Sequence, residues 1–161
     1  MAYQDPLTQL PNRRLLDELI KREIGLVQRG QIESCLIVVD LDSFKSVNDT
    51  FGHPVGDAVL QQLADLLQEN LRGSSILVRL GGEEFVILAS NTSLDEAVVL
   101  AEWLRECVER NQFVIGKHKI RLTASFGVAP LLGTEQAEDY YDLADQALYR
   151  AKQRGKNCVA V

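Results

Sequence analysis

The sequence predicts an α+β sandwich: a mainly antiparallel central sheet flanked by helices, compatible with a ferredoxin-like or polymerase-palm arrangement. Three observations predict it. Cys35-Leu-Ile-Val-Val-Asp-Leu41 is a continuous apolar run rich in β-branched residues, which reads as a strand buried on both faces. Ser75–Arg79 and Glu84–Ala89 are two further strand-like runs flanking Gly81-Gly82, the pattern of a tight β-hairpin. Long segments of helical period separate these runs, and hairpins mixed with long helices favour an α+β arrangement.

The remaining elements follow in order. Residues 5–12, Asp-Pro-Leu-Thr-Gln-Leu-Pro-Asn, make a turn-rich lead-in. A helix follows from Arg13 to about Arg29, with Leu15, Leu16, Leu19, Ile20, Leu26 and Val27 near helical spacing and Gly30 to end it. Ser43–Asp49 reads as a short helix or turn. Gly52–Gly56 reads as a loop, because Pro54 and Gly56 discourage regular structure. The next helix runs from about Asp57 to Leu71 on a face of Val59, Leu60, Leu63, Leu66, Leu67 and Leu71. Ser93 with Glu96 three residues on is a capping signature. The helix behind it reaches about Asn111 and buries Val98, Leu100 and Leu104, with Trp103 a further candidate. Phe113–Ile115 and Lys119–Ala129 read as strands, Ala137–Arg154 as a helix stopped by Gly155, and Cys158–Val161 as an edge strand.

The chain has 161 residues, 46% of them hydrophobic and 25% charged, which is enough for one packed domain spanning 1–161 and excludes a disordered chain. No apolar run is long enough to span a membrane, so no membrane contact is expected of this domain. The net charge of −6 argues against a nucleic-acid binder, which carries a basic face. It leaves room for a small anion, because local lysines and a metal overcome a diffuse negative field. Cys35, Cys107 and Cys158 are odd in number and far apart, so they give no metal spacing and no disulfide framework. They read as reduced, buried thiols of a cytoplasmic protein.

The residues with chemistry are acids. Asp40 closes the apolar strand, Asp42 lies two residues on, and Glu83 and Glu84 sit at the hairpin tip. With the hairpin beside the first strand, Asp40 and a glutamate converge on a position suited to a hard cation such as Mg²⁺. Each piece also has a plainer explanation: a solvated turn, a cap for the next helix, surface charge.

The ordered set of motifs goes further. Asp5-x-Leu-Thr-x-Leu-Pro-Asn-Arg-Arg14, Asp40-Leu-Asp-Ser-Phe-Lys-x-Val-Asn-Asp-x-Phe-Gly-His53, Gly56-Asp57, Arg79-x-Gly-Gly-Glu-Glu-Phe85, Ser125-Phe-Gly-Val128 and Ala147-Leu-Tyr-x-Ala-Lys-x-x-Gly-Lys-Asn157 occur in sequence. Together they resemble the GGDEF family of diguanylate cyclases, in its Gly-Gly-Glu-Glu-Phe variant, from Asp5 to Asn157.

The resemblance implies condensation of two GTP into cyclic di-GMP with loss of two pyrophosphates, by two domains facing each other as a homodimer. It implies Mg²⁺ or Mn²⁺, two ions per site, held by Asp40, the Leu41 carbonyl, Glu83 and Glu84. Glu83 is the implied base for the ribose 3′-hydroxyl, with Glu84 assisting and Asp42 tuning the site. Asn48 and Asp57 would read guanine, with Leu60 packing near the base. Asp57 is otherwise a helix N-cap. Phe44, Lys45, Lys152 and Lys156 would hold the phosphates, and the two late lysines would otherwise complement a helix C-terminus. Gly81 and Gly82 would allow close backbone approach to the nucleotide. His53 reads as packing its loop.

One departure concerns product inhibition. Where many relatives carry Arg-x-x-Asp ahead of the hairpin, this chain has Arg72-Gly-Ser-Ser75. The arginine of the inhibitory site is present and its acid is absent, so feedback is expected to be poor. The chain is also expected to be a catalytic domain excised from a longer protein with an N-terminal sensory region. The alternative reading is a catalytically silent domain that binds GTP or cyclic di-GMP. A palm-type polymerase is disfavoured by the acidic pI of about 4.9.

Overall fold

The computed structural model describes residues 2–136 and 139–161. Its central sheet has five strands: β1 (Cys35–Leu41), β2 (Ser75–Gly81), β3 (Glu84–Ala89), β6 (Ala124–Pro130) and β7 (Val159–Ala160). They lie in the order β2-β3-β1-β6-β7. All pairs are antiparallel except β6 with β7, which is parallel. A separate hairpin of β4 (Gln112–Ile115) and β5 (His118–Arg121) stands beside it.

Strand alternation divides the core into two layers. Cys35, Ile37, Val39 and Leu41 of β1 join Phe85, Ile87, Phe126 and Val128 on one face. That face is covered by α3 (His53–Glu69) and α4 (Leu94–Arg110). Leu36 and Val38 face the other way with Val86 and Leu88, against Leu16 and Ile20 of α1 (Arg13–Gln28) and Ala144 and Leu148 of α5 (Asp142–Gln153). A strand that supplies both layers must be apolar at odd and even positions alike, which is why β1 reads as an unbroken run.

Several boundaries differ from those the sequence predicts. α3 begins at His53, and only Gly52, at φ 91°, separates it from α2 (Phe44–Phe51). Pro54 sits in the first helical turn, where its missing N–H costs nothing. The run 119–129 is two strands in two sheets, with Leu122 and Thr123 between them. Trp103 lies on the solvent side of α4 and is 48% exposed. α5 starts at Asp142, and the expected start at Ala137 lies outside the described residues. The Ser93–Glu96 capping box forms as expected. Among the described residues no helix is long and apolar enough to cross a membrane. Cys35 is buried, which pushes its thiol up to about 11, while Cys107 and Cys158 are partly exposed.

Candidate active site

Parity places the acids. On β1 the even positions Leu36 and Val38 face α5, so Asp40 continues that face where the apolar layer ends. Register sets Glu84 directly opposite Asp40 on β3 and Ser125 opposite it on β6. The Leu41 N–H reaches the Glu83 carbonyl at 3.4 Å, so the hairpin tip closes over the end of β1. Asp40, Leu41, Glu83 and Glu84, which the sequence singles out separately, thus meet at one end of the sheet.

The last turn of α5 brings Lys152 to the same place, where its Nζ pairs with Asp40 Oδ2. Burial pushes the Asp40 carboxyl above its ordinary range, and the Lys152 contact offsets this only in part. Partial desolvation acts to lower the Lys152 ammonium, but the Asp40 contact outweighs it and holds the group above its ordinary range. Glu84 is raised too, first by burial, then by the charges of Asp145 and Asp40.

Asp40 Oδ1 is buried and has no hydrogen-bond partner. A buried carboxylate oxygen without a donor is costly, and one with the charges of Glu83 and Asp42 acting on it suits a hard cation. Among the described residues no three His, Cys, Asp or Glu side chains come together as a group that could hold a metal ion. The set is therefore a partial one, of the kind Mg²⁺ fills out with water and substrate phosphates.

The nucleotide-reading candidates lie on α2 and α3. Asn48 is pressed against Gly56: a Cβ there would stand 1.9 Å from Asn48 Oδ1. The glycine is thus what lets the carboxamide lie flat on α3. Asp57 is exposed and lies one turn inside α3, whose N-cap is Gly52, so it caps nothing. Leu60 is buried one turn on. His53 is exposed at the first position of α3 and packs no loop. Phe44 is buried, anchoring the first turn of α2, and Lys45 beside it is exposed. Ser43, at φ 60°, turns the chain sharply between β1 and α2.

Lys156 follows the end of α5. Gly155 N–H bonds Lys152 C=O at 3.3 Å and Lys156 N–H bonds Ala151 C=O at 3.1 Å, a paired closure that stops the helix with a left-handed glycine. Lys152 and Lys156 are therefore one turn apart on a fixed corner.

Sequence reasoning missed three features. Arg79 fastens the hairpin: its guanidinium donates to Gly82 O at 2.9 Å and to both Asp5 oxygens at 3.0 and 3.1 Å. Burial acts to raise the Asp5 carboxyl, and the Thr8 hydroxyl and N–H with Arg79 outweigh it and hold it low. Both residues lie in quoted motifs, but nothing local links them. Asp42 is buried in a hydrogen-bond network with Thr123, Ser125 and Asn157. Trp103 shares a cavity of about 470 Å³ with Arg72, Asn70, Ser75 and Leu100. That cavity lies at the far end of β2 from the acids, and Trp103 Nε1 donates to Asn70 Oδ1 at 3.2 Å within it.

Comparison with known proteins agrees with this fold. The family model described as "Diguanylate cyclase, GGDEF domain" matches residues 2–158. Diguanylate cyclase DgcP of Pseudomonas aeruginosa is 41% identical over 160 residues, 99% of this chain. The chain spans only 24% of that protein's length. Diguanylate cyclase SiaD of Pseudomonas aeruginosa, solved with its activator SiaC, superposes with a TM-score of 0.93 at 37% identity, covering 99% of this chain and 61% of that one. The GGDEF domain of DgcB from Caulobacter crescentus, solved in complex with c-di-GMP, gives 0.92 at 30% identity over 99% and 95%. A match across nearly the whole sequence, with the acids of the signature hairpin assembled at the sheet end, makes this chain a member of the GGDEF diguanylate cyclase family.

Proposed function

We propose that the chain condenses two GTP molecules into cyclic di-GMP, releasing two pyrophosphates. The convergence of Asp40, Glu83 and Glu84 on one end of the sheet, with an orphaned carboxylate oxygen among them, carries this reading. Asp40, the Leu41 carbonyl and the two glutamates would hold Mg²⁺ or Mn²⁺. When bound, such ions acidify a ribose hydroxyl and neutralise developing phosphate charge. Glu83, at the tip, would take the 3′-hydroxyl proton. Lys152 turns from Asp40 to the triphosphate, together with Lys156, Lys45 and the backbone after Phe44. Asn48 and Asp57 read the guanine edge, a carboxylate accepting from its N1–H and N2–H₂. Each domain holds one GTP, so the 3′-hydroxyl of one meets the α-phosphate of the other only when two copies face each other. Catalysis is then mainly positioning and charge stabilisation.

The test is an assay of GTP turnover with Mg²⁺ on two domains fused to a dimerising segment, over a range of protein concentrations. Cyclic di-GMP is the expected product, and Glu83→Ala should lose at least about a hundredfold in rate. Wild-type pairs that bind GTP and make no product would identify a receptor instead. Added cyclic di-GMP should inhibit weakly, because Ser75 stands where an acid would complete the Arg72 site.

Base reading has its own check. Gly56→Ala forces the Asn48 carboxamide off α3, so GTP should bind about tenfold more weakly, the loss of one good hydrogen bond. Calorimetric titration measures it, and unchanged affinity would remove Asn48 from the site.

A further inference from the structure

Asp42 is a buried acid that the proposed reaction does not use. Both of its oxygens accept hydrogen bonds. Oδ1 accepts from Ser125 Oγ at 2.7 Å, and Oδ2 accepts from Thr123 Oγ1 at 2.6 Å and from the Asn157 N–H at 3.0 Å. Three donors occupy all but one of the carboxylate's lone-pair sites, which sets it apart from Asp40 two residues earlier, whose Oδ1 has no donor at all.

We propose that Asp42 is a positioning residue that acts through Asn157 to hold Lys156 where it meets the triphosphate. The inference rests on Lys156 being a phosphate-binding residue. Gly155, Lys156 and Asn157 have φ of 107°, 65° and 48°, three left-handed residues in succession. Lysine seldom adopts that conformation, and it persists only where the surroundings enforce it. Here they enforce it from both sides. The Lys156 N–H is taken by Ala151, and the next N–H, that of Asn157, is shared by Asp42 Oδ2 and Ser125 Oγ at 3.0 and 3.2 Å. A second clamp grips the Asn157 side chain from α4: Arg105 donates to its Oδ1 at 3.0 Å, and its Nδ2 donates to Glu109. Arg105 is itself held by Glu102 at 2.6 Å. Lys156, between these anchors, is exposed and forms no ion pair among the described residues. Its backbone is fixed and its ammonium is free.

A double-mutant cycle between Asp42 and Lys156 tests this. Binding of a GTP analogue with a methylene α,β-bridge is titrated, and KM and kcat are measured on the paired enzyme. Lys156→Ala should weaken binding about tenfold, as for a lost charged contact. Asp42→Ala should do nearly the same, and the double variant should be no worse than either single within about twofold, because both remove one interaction. KM should rise while kcat holds within about threefold. Asp42→Asn should recover binding to within about threefold of wild type: its amide oxygen can accept from Asn157 and Thr123 while its NH₂ donates to Ser125. The Mg²⁺ midpoint should not move in Asp42→Ala. Losses that multiply overturn the role of Asp42. So does an Asp42→Asn variant as weak as Asp42→Ala with a shifted Mg²⁺ midpoint, which would mark a metal ligand. If Asp42→Ala does not fold, Arg105→Ala takes its place in the cycle with the same two outcomes. Lys156→Ala with unchanged affinity would instead overturn the phosphate role on which the inference rests.

Discussion

Asp40→Asn is expected to abolish cyclic di-GMP formation and at the same time raise the melting temperature. The first effect follows from losing the charge at the centre of the acid cluster, and should exceed about a hundredfold. The second follows from burial. Asp40 is 6% exposed, one oxygen has no donor, and Glu83 and Asp42 add their repulsion to the desolvation. Lys152 is an incomplete remedy. The contact keeps the lysine charged, yet the aspartate, much the more deeply buried of the two, still titrates above its ordinary range. A carboxyl whose folded pKa is raised favours folding while protonated and loses that contribution as pH rises through the folded value. The Asn variant should therefore match wild type at acid pH, and its advantage should open as pH climbs past the ordinary aspartate value of 3.8. Near neutrality the gain should be about 1 kcal/mol, a rise of about 2–4 °C for a domain this size. Thermal melts across pH measure it without metal or nucleotide. A variant that melts lower than wild type at pH 7 would show that the Lys152 pair outweighs the burial.

Gly127→Ala should unfold the protein more readily than any change among the site residues. Gly127 lies on β6 facing α5, inside the Ser125-Phe-Gly-Val128 motif. A Cβ there would stand 2.2 Å from Leu148 N, 2.3 Å from Ala144 O and 2.8 Å from Leu148 Cα. These are backbone atoms of a helix, which no rotamer change can move aside. α5 approaches this closely because Ala144, Ala147 and Ala151 line its buried face. Lifting it by the required ångström or more should cost about 3 kcal/mol, a fall of about 10 °C in Tm. Folded material should also be slow. Lys152 rides on the same helix, and a displacement of about 1 Å from a productive geometry costs on the order of a hundredfold. A Tm within about 2 °C of wild type would show that the helix yields cheaply.

The sequence made legible whatever depends on neighbours along the chain. β1, the hairpin, the Ser93–Glu96 box and the left-handed stop at Gly155 each rest on a few adjacent residues, and each formed as read. The acids of the site were legible for the same reason, since each ends a strand or tips a turn. What required the third dimension was hidden. Arg79 meets Asp5 from 74 residues away, and Asn157 meets Asp42 from 115. The run 119–129 could not be divided, because alternation reports that a segment is extended and not which strand it joins. Trp103 looked like core because its period fits the helix, whereas its place opposite the packed face is settled by which way α4 rolls onto the sheet.

At the end that carries the acids, the outer edge of β2 is met by the lead-in segment, with the Arg79 N–H bonded to Pro11 O at 3.0 Å. The opposite edge is met by β7, with the Phe126 N–H bonded to Cys158 O at 2.9 Å. Unpaired strand edges are templates for aggregation when identical chains crowd together. The proposed reaction demands that crowding, since two copies must approach with their acid-bearing ends foremost. The lead-in covers β2 there, and β7, the outermost strand on the other side, is two residues long, so neither border offers a long strand for the other copy to extend. In the proposed reaction the pair would then meet without a shared sheet and would be free to part once the product had formed.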